Sequence, residues 1–121
     1  MPTSETVPAI AFAPWDVVVV PFPYADRLAE KRRPVLVVSN GRLLEYGLLW
    51  VAMITSASNP PWGCDVAIGD GVLAGLAAPS VVRPAKLACI EPSRVLRRIG
   101  RLQPSAAHAV AERLGRFLGA E

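Results

Sequence analysis

Four consecutive valines, Val17 to Val20, are stopped by Pro21 and Pro23 in the stretch WDVVVVPFP. β-Branched side chains are stiff at χ1 and pack well on a pleated surface, and the run is too short for an ordinary helix. With no polar residue to alternate, it predicts a strand buried on both faces. The pattern recurs in RPVLVVSN, LLWVAMITS (48–56), CDVAI (64–68), VVRPAKLACI and RRIGRL. Between these runs lie SNPPWG, the glycine-rich GDGVLAGLAAPS with room for one helical turn, and turns at Asn40–Gly41 and Glu91–Pro92–Ser93. Pro34 is expected at a strand start or a sheet edge, because it has no N–H to give a ladder.

After Pro104 the period changes. Ala107, Val110, Ala111, Leu114 and Leu118 keep a spacing of three or four, with His108, Glu112 and Arg116 on the opposite side. That is an amphipathic helix, and proline suits its first turn. Five or six short strands, proline-rich connections and one terminal helix predict a mainly β (α+β) fold: a small, strongly bent β-barrel capped by the helix. At 121 residues and 52% hydrophobic, the chain makes one domain with a real core. We expect residues 1–13 to be a flexible extension and 14–121 the domain.

Charge is unevenly spread. Residues 83–121 carry eight arginines and lysines against three glutamates, whereas 34–82 carry Arg42 against Glu45, Asp65 and Asp70. Such asymmetry suits a polyanionic partner. No apolar run approaches the ~18 residues of a membrane span, and MPTSETVPAIAFAP lacks the basic start of a secretory signal. A cytoplasmic location is expected, with Cys64 and Cys89 as reduced core residues.

The chemistry is narrowed by what the sequence omits. His108 is the one histidine, no His/Cys/Asp cluster has metal spacing, and no phosphate-binding glycine loop or serine elbow occurs. No metal and no cofactor is expected. Arginine and hydroxyl groups remain. Three cations, Lys31, Arg32 and Arg33, stand directly before Pro34 and a strand that reads as core. A guanidinium anchored there either presents a rigid fork of donors matched to phosphate oxygens or pairs with Asp26 or Glu30. Thr55 and Ser56 end the apolar run MITS, where a hydroxyl either binds a non-bridging oxygen or caps the strand locally. Arg83 and Lys86 repeat the cation-before-proline theme in RPAK. Trp62 is either a core plug or a platform for an unpaired base; Trp15 and Trp50 read as core. Asp65 and Asp70 read as turn residues.

In combination, WDVVVVPFPYADRLAEKRRPVLVVSN, VAMITS, PSVVRPAKLACIEPSRVLRRIGRL and the final helix resemble the PemK/MazF family of toxin endoribonucleases from type II toxin–antitoxin modules. The resemblance covers roughly residues 15–118. It implies an SH3-like barrel of five to seven strands that dimerises and cuts single-stranded RNA, including mRNA, at short sequences without a metal, arresting growth. It implies a cognate antitoxin, an acidic and partly disordered chain. The family's catalytic arginine falls on Arg33 and its threonine on Thr55; Lys31, Arg32, Ser56, Trp62, Arg83 and Lys86 would contact RNA. The reaction implied is attack by a ribose 2′-OH, leaving a 2′,3′-cyclic phosphate and a 5′-OH. Two positions depart from the family pattern: Trp15 replaces the usual glycine before the first-strand aspartate, and Leu28 replaces a loop glutamate five positions before the arginine.

Two rivals share the fold. One is a barrel that poisons DNA gyrase, as the related CcdB toxins do through a tryptophan at the end of their last helix; this chain ends RFLGAE. The other is an RNA-binding or adaptor homologue without catalysis, which the Leu28 departure keeps open.

Overall fold

The computed structural model describes residues 12–22 and 31–119. Leu28, with Asp26 and Glu30 beside it, and most of the expected extension lie outside the described residues. Phe12 is already buried in the core, two residues ahead of the boundary expected at 14.

Six strands form one sheet among these residues: β1 (Asp16–Phe22), β2 (Lys31–Val37), β3 (Leu49–Ser56), β4 (Val66–Ala67), β5 (Ser80–Ile90) and β6 (Arg97–Arg101). Their order is β4-β5-β3-β2-β1-β6, and every pairing is antiparallel. Two single-turn helices, α1 (Gly41–Leu44) and α2 (Gly71–Ala74), sit in connections, and α3 (Pro104–Phe117) closes the chain. The short segment Pro92–Arg94 is a 3₁₀ turn with its proline in the first positions.

The four valines explain the architecture. Successive strand residues face opposite sides, so Val17 joins one core with Leu36, Ala52, Ile54 and Val82, while Val18 and Val20 join a second with Val35, Val51 and Met53. Ala106, Ala107 and Val110 of α3 cover the first core. A curled, half-barrel sheet results, apolar on both faces at its centre. Two irregularities add to the bending: a register shift in β1 between Val17 and Val18, and three residues of β5, Pro84 to Lys86, inserted between the pairs Met53–Arg83 and Ala52–Leu87.

Several expectations need correction. Pro34 lies inside β2, a strand with neighbours on both sides, opposite Val19 of β1. It is tolerated because the ladder to β3 stops one residue later in the chain, at Val35–Met53. Trp50 is 43% exposed and Cys89 is exposed, so neither is core; Cys64 is half-buried. On α3, Ala106 joins Ala107 and Val110 on the inward side, while Ala111 and Leu118 face out. CDVAI contributes only two paired residues.

Candidate active site

Arg33 is set by its strand. It lies opposite Val20 of β1, and alternation puts it on the face of fully buried Val35 and Val37. Its Nε is buried. On β3, Met53 pairs with Val35, the last pair of the ladder; Arg33 and Thr55 each lie two residues beyond it, and alternation gives them the same face. Pro34 ends hydrogen bonding between the two strands at that point. Arginine and hydroxyl therefore flank the place where β2 and β3 part.

Thr55 is held from the loop that follows. Asn59 Nδ2 donates to Thr55 Oγ1 at 2.6 Å. The turn carrying Asn59 is fixed by its own N–H to Ser56 O at 3.1 Å, and Ser56 and Ser58 hydroxyls share a hydrogen bond at 2.8 Å. Ser56 is thus engaged locally while remaining exposed.

Residues 57–65 fold back over the same face. Arg83 on β5 pairs with Met53, so its side chain points as Met53 and Thr55 do. Its Nε reaches Asp65 Oδ1 at 2.9 Å and its Nη2 reaches Oδ2 at 3.0 Å, a two-pronged pair with side chains only 10% and 9% exposed. The same Nη2 donates to Pro60 O at 3.1 Å, and the guanidinium lies 4.3 Å from the Trp62 ring centroid. Trp62 N–H donates to Asp65 Oδ2 at 2.9 Å. Hydrogen bonds from Arg83 hold the Asp65 carboxyl below its ordinary range, against the opposing effect of burial; the Asp65 hydrogen bond correspondingly raises Arg83. Asp65 fills the expected turn role, its N–H donating to Trp62 O at 3.0 Å, and is an ion-pair partner as well. Asp70 is the turn residue, capping α2 by accepting from Leu73 N–H at 2.9 Å.

Lys31 and Arg32 open β2 and are exposed beside Arg33; Lys86 is exposed on the inserted segment of β5. Arg33, Thr55 and Arg83 thus share one face of three adjoining strands, with Lys31, Arg32 and Lys86 on their margins. Asn59 and the Asp65 pairing were missed from sequence. An asparagine four residues past a strand-ending threonine is a weak local signal, and Asp65 is 18 residues from its partner. His108 is exposed on α3. Among the described residues, no group of three His, Cys, Asp or Glu could hold a metal ion. Nor, among them, is any helix long and apolar enough to cross a membrane.

Residues 13–118 match the sequence profile of a family described as the PemK-like, MazF-like toxin of type II toxin–antitoxin systems. The chain belongs to this family. Among solved structures it is similar to the Mycobacterium tuberculosis toxin MazF-mt6, at 26% identity and a TM-score of 0.68, over 88% of this chain and 98% of that one. MazE–MazF from Deinococcus radiodurans matches at 20% identity, TM-score 0.73, over 92% and 99%. An endoribonuclease in complex with its cognate antitoxin, from a mycobacterial species, matches at 16%, TM-score 0.72, over 92% and 98%. No curated protein matches the chain at a significant level. Trp15 stands at a strained backbone position. That residue has φ 79°, in the left-handed region where a bulky side chain is strained and glycine is at ease. The indole packs against the first core, which offsets the strain.

Proposed function

We propose that this chain is an endoribonuclease that cuts single-stranded RNA, mRNA included, at selected sequences without a metal, and that it arrests growth as the toxin of a type II module. The observation carrying this is that Arg33 and Thr55 each lie two residues beyond the last β2–β3 pair, Val35–Met53, on adjoining strands. A ribose 2′-oxygen attacks the adjacent phosphorus and gives up its proton, while the bond to the departing 5′-oxygen breaks and that oxygen takes one up. The products are a 2′,3′-cyclic phosphate and a 5′-OH. Arg33 stabilises the charge growing on the phosphorane, the role a metal plays elsewhere. Its anchoring between Pro34 and a buried strand serves this role, because small misplacements cost large rate factors. Thr55 binds a phosphate oxygen, with Ser56 next to it. Lys31, Arg32 and Lys86 draw in the backbone.

The partners proposed are single-stranded RNA, a cognate antitoxin and a second copy of the chain, all in the cytoplasm. Support for the antitoxin comes from the MazE–MazF and toxin–antitoxin assemblies among the matched structures. For the second copy, an apolar hollow of about 400 Å³ lies against the end of α3, lined by Trp50, Leu87, Phe117 and Leu118 among others.

The test is incubation of wild type and Arg33→Ala with a long single-stranded RNA in EDTA, followed by a denaturing gel. Discrete fragments from the wild type alone are expected. Intact RNA in both lanes from folded protein defeats the nuclease reading; retained RNA affinity would then favour a binding module.

A further inference from the structure

We infer that Arg83 is a positioning residue, not a phosphate ligand, and that with Asp65 and Pro60 it fixes the Trp62 ring as a platform on which an unpaired RNA base stacks. The inference rests on the nuclease reading and adds a subsite to it. Arg83 has the charge and the location of a backbone contact, and by sequence it was expected to be one. Its guanidinium is otherwise occupied: two nitrogens reach the two Asp65 oxygens, one of them also reaches Pro60 O, and its carbon lies over the Trp62 ring. With the Arg83 side chain 10% exposed, little of it is left for a polyanion to touch.

Trp62 is different. Its backbone is tied to Asp65 and its ring is backed by Arg83, yet 45% of its surface faces solvent. A large aromatic in a loop, held at its backbone and at one face of its ring and still open, loses little freedom when a base stacks on it. Residues 57–65 leave β3 immediately after Thr55, and Asn59 of the same segment holds the Thr55 hydroxyl. A base on Trp62 therefore sits near the phosphate that Thr55 and Arg33 address. The cation occupies one face of the ring and restrains it, which leaves the opposite face for the nucleobase.

The two roles for Arg83 make opposite predictions. RNA affinity is measured in the Arg33→Ala background, so that nothing is cut, with a fluorescent single-stranded RNA of mixed sequence over a range of salt. If Arg83 positions Trp62, Arg83→Lys and Asp65→Asn each weaken binding about 10-fold, as does Trp62→Ala, with the salt slope unchanged. If Arg83 grips phosphate, Asp65→Asn frees it and tightens binding, and Arg83→Ala lowers the slope by about 0.7. Either of those results overturns the inference. In an otherwise wild-type chain, Trp62→Ala raises KM about 10-fold with kcat within about twofold, the sign of lost uniform binding. Removing single bases from a short RNA that contains a mapped cleavage site supplies the decisive cycle. One abasic position mimics Trp62→Ala and adds nothing to it, whereas a loop residue with a purely structural role gives additive losses everywhere. Trp62→Phe keeps a smaller platform and loses less. Trp62 lies outside the core, so its variants carry the test even where Arg83→Lys fails to fold. A wild type that leaves all RNA intact defeats the nuclease reading itself; a wild type that cuts while every loop variant matches it in KM defeats only the platform.

Discussion

Asn59 Nδ2 donates to Thr55 Oγ1 at 2.6 Å, so the hydroxyl that ends β3 is aimed by the loop that leaves it. An aimed hydroxyl needs no reorganisation when charge develops on a phosphate oxygen. Thr55→Val should lower kcat by about 100-fold. Asn59→Ala should lower it less, and the double variant should be no worse than Thr55→Val, because the two act as one unit. Single-turnover cleavage rates check this; additive losses would separate the residues.

Arg33→Lys keeps a positive charge but loses the planar fork. A point charge cannot span two phosphate oxygens in a fixed geometry, so cleavage should fall by about 100-fold or more with RNA affinity nearly retained. Full activity in Arg33→Lys would reduce Arg33 to a general electrostatic contributor.

Acid should weaken the fold through Asp65. Its carboxyl is held below the ordinary value of 3.8 mainly by hydrogen bonds from Arg83. A depressed folded-state pKa contributes stability that is fully present above the unfolded-state pKa and is lost as pH falls through the folded-state value. Urea midpoints of the wild type should drop between about pH 5 and pH 2, and Asp65→Asn should drop less steeply over that window while starting lower at neutral pH. Parallel curves for the two proteins would show that the pair contributes nothing to folding.

Gly75 and Gly100 interlock α2 with β6. A side chain on Gly100 would overlap the backbone of Leu73 and Ala74, and one on Gly75 would overlap the backbone of Ile99. Gly75 also ends α2 at φ 77°, a left-handed cap. Gly100→Ala should destabilise by about 1–3 kcal/mol, and Gly75→Ala by at least as much, read as a lowered thermal midpoint. Gly47 has φ 75° with open space around it, so Gly47→Asn serves as the mild comparison.

Self-association should run through the apolar hollow at the end of α3. Leu118 is 74% exposed and Trp50 43%. Placing a charge there by Leu118→Glu or Trp50→Glu should shift the molar mass measured by light scattering from dimer towards monomer, with the thermal midpoint little changed. A wild type that is monomeric at high concentration would refute the dimer.

What the sequence determined by itself was whatever depends on neighbours along the chain. Val17 to Val20 specify a strand buried on both faces because side chains alternate and none of the four is polar. The helix from Pro104 follows from a spacing of three and four, and Arg33 stands out because a proline and a buried run pin it. The motif order alone was enough to suggest the family that residues 13–118 match. Tertiary structure decided what depends on the far side of the sheet. Trp50, Cys89 and Leu118 look like core in one dimension and are exposed in three, since no element among the described residues covers them fully. Pro34 sits in a central strand because the ladder on one side happens to stop beside it. Arg83 was legible as a cation, but its partner lay 18 residues away. Only the fold of residues 57–65 over β3 and β5 turned a free-looking charge into the support of an aromatic ring. Local pattern sets backbone period and burial tendency, whereas pairing across the chain is a matter of distance, which only packing defines.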